Sequence, residues 1–281
     1  MTTTSATATA TSTATSIGID TIREPRRSVT LTETVRQSFS FGYRGLIKIT
    51  RNPEQLFDVV LQPIIFTLMF TYIFGGAISG DISSYLPVIV PGILVQTVIT
   101  TSIVTGTQLR EDMNKGVFDR FRSLPIARIS PLAGALLADV VRYLIATTIT
   151  FAVGIAMGWR PEPLGVLGSL VLVLICSFAV SWIFALMGCL VKKASAVQGI
   201  SMLIMFPLTF MSNAFVPVDT MPGWLQSFVN INPISHLITA IRELCNDGHV
   251  GTHVLWSLLG AAILIAVFAP LAVRAYIRSA K

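Results

Sequence analysis

Charge is the scarce ingredient of this chain. Only 12% of its 281 residues are Asp, Glu, Lys or Arg, while 53% are hydrophobic; soluble domains carry roughly 25% charged residues. Mean hydropathy is +0.73. That deficit, together with apolar runs of ~20 residues, excludes a soluble globular protein and indicates an integral membrane protein. Cysteine is also sparse. Cys176, Cys189 and Cys245 give no pairing framework and read as small apolar residues. No GxxxxGK[ST] nucleotide loop occurs, and the Gly-rich piece Phe74-Gly75-Gly76 sits at the end of an apolar run. No HExxH is present. His249 and His253 are four apart, but Gly248 and Gly251 argue against the helix that would align them on a metal. The N-terminus, uncharged Thr/Ser/Ala repetition to about Ser16, lacks the cationic start and apolar centre of a signal peptide. Residues 1–27 are expected to be a disordered cytosolic tail, because they cannot bury enough apolar surface to offset ordering entropy.

What is present is a series of long apolar segments. Six reach the ~20 residues needed to cross ~30 Å of hydrocarbon. They are Leu56–Ile78, Leu86–Gln108, Leu132–Trp159, Leu164–Val191, Ala194–Val216 and His253–Val273. The expected fold is all-α, with a six-span membrane domain over 56–281. Ahead of it, residues 28–55 read as an amphipathic interfacial helix. Val35, Phe39, Gly42, Tyr43 and Leu46 recur at helical spacing, Arg36, Ser40, Arg44, Lys48 and Arg51 line another face, and Asn52-Pro53 ends the pattern.

Lys and Arg set the orientation. Seventeen of the 20 fall before the first span, after the second, after the fourth or after the sixth; only Arg160 and Arg242 fall on the opposite side. Both termini are therefore expected in the cytosol, facing the anionic leaflet of the plasma membrane. The net charge of +6 is explained by this bias and requires no nucleic acid.

The loop after the second span (110–131) is unusual. Its first 19 residues hold five cations and three carboxylates, with Val117, Phe121 and Leu124 able to share a helical face. Orientation alone requires neither the carboxylates nor the aromatics, so the segment suits docking to another protein. On the other side, the loop 217–252 contains Trp224, fit for a headgroup zone, and Pro233, fit for a helix's first turn. Ile234, Leu237, Ile238, Ile241, Leu244 and Cys245 then share one face of a run too short to span. It is expected to lie flat in the outer interface or to dip in and return.

These pieces together resemble a known family. Phe215-Val216-Pro217, Met221-Pro222-Gly223-Trp224-Leu225, Asn232-Pro233-Ile234 and Arg242 resemble the C-terminal pattern of ABC-2 type transporter permeases. Gly116 with Arg122-Ser123-Leu124-Pro125-Ile126 resembles that family's cytosolic loop. Arg51-Asn52-Pro53, Pro63 and Tyr72-Ile73-Phe74-Gly75-Gly76 resemble its first-span region. The likeness covers roughly residues 30–281 and is nearest to permeases of the daunorubicin-resistance drug-efflux type.

The resemblance implies two permease chains, identical or related, and two cytosolic ATPase subunits that hold the ATP and Mg; none is expected on this chain. It implies an elbow helix over Ser28–Arg51 and re-entrant or surface helices between spans five and six, around Pro222, Trp224, Asn232, Pro233 and Arg242. It also implies a coupling helix in the first cytosolic loop. Arg110, Glu111, Asp112, Lys115, Gly116, Phe118, Phe121, Leu124 and Pro125 are its expected ATPase contacts. A path between spans one, two and five would draw on three stripes. The first span offers Gln62, Phe66 and Met69, and the second offers Thr97, Thr101 and Thr105. The fifth offers Gln198, Met202, Met205, Phe206, Thr209 and Asn213. Met and Phe suit varied apolar ligands, whereas hydroxyls in a span commonly bond back to helix carbonyls.

Asp139 and Arg142, three apart in the third span, read as an interfacial salt pair with a snorkelling arginine. The expected function is the permease subunit of an ATP-driven exporter for a small amphipathic drug, antibiotic or lipid-like molecule. A permease for a lipid, glycan or other envelope product is the alternative. An ion-coupled transporter would need midplane ionisable residues or inverted repeats, and an intramembrane enzyme would need a catalytic pair at one depth.

Overall fold

The computed structural model describes residues 31–50, 53–116 and 129–279. The tail 1–27 and the loop residues Phe118, Phe121, Leu124 and Pro125 lie outside the described residues. Among the described residues the regular structure is helical, with no strand. Apolar runs take this form because hydrocarbon offers no hydrogen bonds, so each backbone group must be paired inside its own segment.

In chain order the helices are α1 (Leu31–Thr50), α2 (Pro53–Ser79), α3 (Ile82–Asn114), α4 (Ser130–Ala156), α5 (Pro163–Leu190), α6 (Ala194–Phe210), α7 (Gly223–Ile231), α8 (Pro233–Arg242) and α9 (Thr252–Ser279). A 3-10 turn at Val218–Thr220 precedes α7, and a π turn at Glu243–Asp247 extends α8. Five of these helices, α2, α3, α4, α5 and α9, are long and apolar enough to cross a membrane.

The fifth expected span, Ala194–Val216, is shorter than the sequence suggested. Helix α6 has 17 residues and stops at Phe210, about 25 Å of rise against ~30 Å of hydrocarbon. Two local features end it. Pro207 has no N–H to continue the ladder. Past Met211, Ser212 Oγ donates to Thr209 O at 2.5 Å and accepts from Ala214 N at 3.2 Å, so a side chain takes over helical hydrogen bonds.

Helix α3 is the hub. It packs against α2, α4, α5, α6 and α8, while α9 packs against α5 and α8 and leaves most of its surface exposed. Leu86, Ile89, Ile93 and Leu94 of α3 are fully buried in the main core with Ile238 and Ile241 of α8. A second cluster (Leu109, Leu132, Leu136, Trp182 and Tyr276) closes the other end, where α3 leads into the charged segment. Helices α3 and α5 meet at two glycines. A Cβ at Gly106 would lie 2.3 Å from Phe184 O, and one at Gly188 would lie 2.4 Å from Gly106 O. Small residues let backbones touch where lipid supplies no hydrophobic drive between helices.

Helix α1 rests on α4. Ser38 and Gly42 are buried on the packed side, whereas Tyr43 is 67% exposed. Close approach decides this, since Gly134 of α4 faces Phe41 with no room for a Cβ.

Candidate functional site

The charged segment begins as a helix rather than a loop. Arg110, Glu111 and Asp112 occupy the last turns of α3. Lys115 N bonds to Glu111 O at 2.9 Å, and Gly116 N bonds to Met113 O at 3.2 Å. Gly116 has φ 66°, the left-handed conformation in which glycine ends helices without steric cost. Lys115 Nζ and Glu111 Oε2 are 3.5 Å apart in an exposed pair, a type that contributes at most about 1 kcal/mol. Arg110 turns the other way: its Nε donates to Lys192 O at 2.9 Å. This ties the end of α3 to the short turn between α5 and α6, so the two segments that the charge bias put on one side are joined.

One turn inward lies a buried polar lock. Arg142 Nη1 donates to Asp139 Oδ1 at 3.0 Å, and Thr105 Oγ1 donates to Asp139 Oδ2 at 2.6 Å. Arg142 is 2% exposed and Asp139 4%. The expected snorkelling arginine is therefore corrected. Helix α4 starts at Ser130, which puts Arg142 about 18 Å along it, enclosed by protein and neutralised by its own i−3 carboxylate. Asp139 joins α3 to α4 through Thr105, and these are the helices on either side of the charged segment.

The expected path residues separate into two groups. Thr97, Thr101, Thr105, Thr209 and Asn213 are buried inside the chain. Thr101 Oγ1 bonds back to Thr97 O at 2.9 Å, and Asn213 Nδ2 donates to Thr239 Oγ1 at 2.8 Å. Met69, Gln198, Met202 and Phe206 are exposed, with Gln62, Phe66 and Met205 half-buried. Rings connect the two outer stripes. Phe66, Phe70 and Phe74 stack along α2 at 5.8 and 5.5 Å. Phe70 meets Phe215 at 4.7 Å, Phe215 meets Phe210 at 5.2 Å, and Phe210 meets Phe206 at 4.2 Å. Phe215 is thus the ring that joins α2 to α6.

The connection between α6, α8 and the first half of α3 is a set of side-chain bonds to main-chain carbonyls. Pro91 inside α3 has no N–H for Pro87 O, and Asn246 Nδ2 fills the vacancy at 3.2 Å. Arg242 donates to Val88 O and to Asn213 O, beyond the end of α6. Partial burial lowers the Arg242 pKa to about 10, which leaves it charged at neutral pH. Asn232 caps α8 through Ile234 N at 3.0 Å and bonds Leu208 O at 2.8 Å and Met211 O at 3.2 Å. Pro233 takes the first turn of α8 as expected. The apolar face from Ile234 to Cys245 is buried on protein, against α3, α5 and α9, and not laid on lipid. Pro222 and Trp224 begin α7, both exposed.

Sequence reading passed over Asn246 and Tyr85, whose hydroxyl donates to Phe215 O at 2.8 Å. A proline inside a span was the available signal, because it requires a donor from elsewhere. Among the described residues no group of three or more His, Cys, Asp or Glu side chains is placed to hold an ion.

Comparison with known proteins accords with this architecture. The ABC-2 type transporter family matches residues 36–245. The chain is 42% identical over 258 residues to a daunorubicin resistance ABC transporter permease protein, DrrB1, of Streptomyces coeruleorubidus, covering 90% of this chain and 88% of that protein. A probable doxorubicin resistance ABC transporter permease protein, DrrC, of Mycobacterium tuberculosis is 28% identical over 176 residues, 61% of this chain and 63% of its own. A doxorubicin resistance ABC transporter permease protein, DrrB, of the same organism is 28% identical over 148 residues, 52% of this chain and 51% of its own. The chain belongs to the ABC-2 type transporter family.

Proposed function

We propose that this chain is the membrane subunit of an ATP-driven exporter that moves a small amphipathic drug, antibiotic or lipid-like molecule out of the cell. The observation that carries this reading is the 42% identity over nearly the whole length of a daunorubicin resistance permease. Two ATPase subunits bind and hydrolyse ATP with Mg, and this chain performs no covalent chemistry. In this reading α6 serves as a short fifth span, α1 is the elbow, α7 and α8 form the outer re-entrant region, and both termini are cytosolic. A second permease copy or paralogue covers the exposed side of α2 and α6, with Met69, Met202 and Phe206 beside the path.

ATPase closure presses on the segment that starts at Arg110. Support for a mechanical role comes from two links already described: Arg110 to Lys192, and Thr105 to Asp139. Through them a push at the end of α3 reaches α4 and the α5–α6 turn together.

The test is accumulation of doxorubicin in cells that express the chain with and without an ATPase subunit. Accumulation should fall only when both are present. Reversing charge with Glu111→Lys and Asp112→Lys, together with Phe118→Ala, should leave ATP hydrolysis but abolish efflux. Efflux by the purified chain alone in ATPase-free vesicles would refute the reading.

A further inference from the structure

The turn between α4 and α5, residues 157–162, joins two antiparallel helices that are each long enough to cross a bilayer. Such a turn lies at a membrane boundary, whichever side that is. Beside it the ends of the two helices enclose an open hollow of about 620 Å³, walled by Ile155, Trp159, Pro163, Val166 and Leu167. Its floor is held in place. Trp159 Nε1 donates to Asn246 Oδ1 at 3.2 Å, and the indole stacks on Phe151 at 5.8 Å. From the hollow an exposed apolar stripe of Leu164, Leu167, Val171 and Ile175 runs down α5 at helical spacing.

Arg160 is the charged residue of the lining. It is exposed, and no carboxylate among the described residues pairs with it. Glu162, two residues on, is not in the lining; its Cγ lies toward Gly248. The other arginine at this end, Arg242, is committed to main-chain carbonyls. Any apolar helix face in a bilayer is covered by acyl chains. What differs here is a hollow with a fixed Trp159 floor that ends at an unpaired cation beside the turn.

We propose that this hollow is a binding site for one anionic phospholipid. The Arg160 guanidinium takes the headgroup phosphate, which suits its forked donors. One acyl chain fills the hollow and follows Leu164, Leu167, Val171 and Ile175. A lipid of net negative charge is selected because the site offers a cation and no lining carboxylate to receive a headgroup ammonium.

The experiment uses the full chain purified in detergent with an equal mixture of phosphatidylglycerol and phosphatidylcholine of the same acyl composition, read by native mass spectrometry. Wild type should retain phosphatidylglycerol over phosphatidylcholine. R160Q should lower retained phosphatidylglycerol about fivefold, the effect of one arginine at a membrane surface, and phosphatidylcholine by less. L167W, at a 61% exposed position, should displace one lipid of either headgroup by filling the hollow. A K192Q/K193Q control should leave the R160-dependent lipid in place. Equal retention of phosphatidylglycerol by wild type and R160Q would overturn the proposal. So would a loss that follows the lysines and not Arg160, or a loss that is the same for both lipids. The readout needs no transport, so it stands apart from the proposed function.

Discussion

Arg242 donates to the main-chain carbonyl of Val88 twice, from Nε at 3.1 Å and from Nη2 at 2.7 Å, although 154 residues separate them. The same Nη2 reaches Asn213 O at 2.6 Å. One side chain therefore holds α8, the N-terminal half of α3 and the segment after α6 in a fixed relation. Arg242→Met should remove these bonds and leave the Asn213 carbonyl without its donor, at about 1–3 kcal/mol for a buried group stranded. Arg242→Lys should recover little, since an ammonium cannot fork across two acceptors. Thermal unfolding in detergent measures both. Wild-type melting of the Met variant would mean the clamp contributes nothing.

The lock at Thr105, Asp139 and Arg142 predicts an asymmetry. Removing one charge with Asp139→Asn leaves the other buried and unpaired, which typically costs about 3–5 kcal/mol. The double change Asp139→Leu with Arg142→Met removes both charges and should regain much of that loss. Yield of folded protein and its melting temperature, compared in a double-mutant cycle, report the coupling. Additive single effects would rule out a pair.

Glycine positions should divide by contact. Gly188→Ala forces α5 off Gly106 O, and Gly106→Ala forces α3 off Phe184 O; overpacking of this kind costs about 1–3 kcal/mol. Gly199 and Gly260 have nothing within 4 Å of a new Cβ, so alanine there should be neutral or stabilising by up to about 1 kcal/mol. Melting curves of the four variants in one detergent give the comparison. The order would be wrong if Gly199→Ala were the most damaging.

His236 Nδ1 and His253 Nδ1 lie 3.0 Å apart, a bond that needs one donor and one acceptor. Burial, and then the neighbouring His253, lower the His236 pKa below 6.5. Glu243, 3.8 Å from His253 Nε2, and Trp256, stacked on His236, complete the surroundings on the π turn and α9. For a base with a lowered folded pKa the unfolded chain binds the proton first. Stability should therefore be full above pH 6.5, fall as pH drops through it, and level off below the folded pKa. His236→Asn should flatten this slope in melts between pH 7.5 and 5; an unchanged slope would assign it to another group.

Most of the helices were readable in the sequence because their causes are local. Run length and missing charge specify α2, α3, α4, α5 and α9 to within a few residues at most ends. Asn232 and Pro233 mark the start of α8, and the periodicity from Ile234 to Cys245 marks its buried face. Where local signals competed, the reading slipped. Pro207 and Ser212 outweighed the apolar run that seemed to carry α6 to Val216.

What each span faces was decided only in three dimensions. In a helix that is apolar all round, periodicity cannot separate the side that meets protein from the side that meets lipid, because both are apolar. Spacing could thus give no sign that the Thr105 hydroxyl donates to Asp139, and Arg142 could be read as a snorkelling residue when it is enclosed. The Phe215 bridge, the Gly106–Gly188 crossing and the Arg242 clamp join residues far apart in the chain. The sequence by itself determined a helical membrane chain with a charged segment at one boundary. Tertiary structure determined which polar groups hold it together, since a buried donor is satisfied by whatever acceptor the packing brings near, and spacing along the chain carries no record of that.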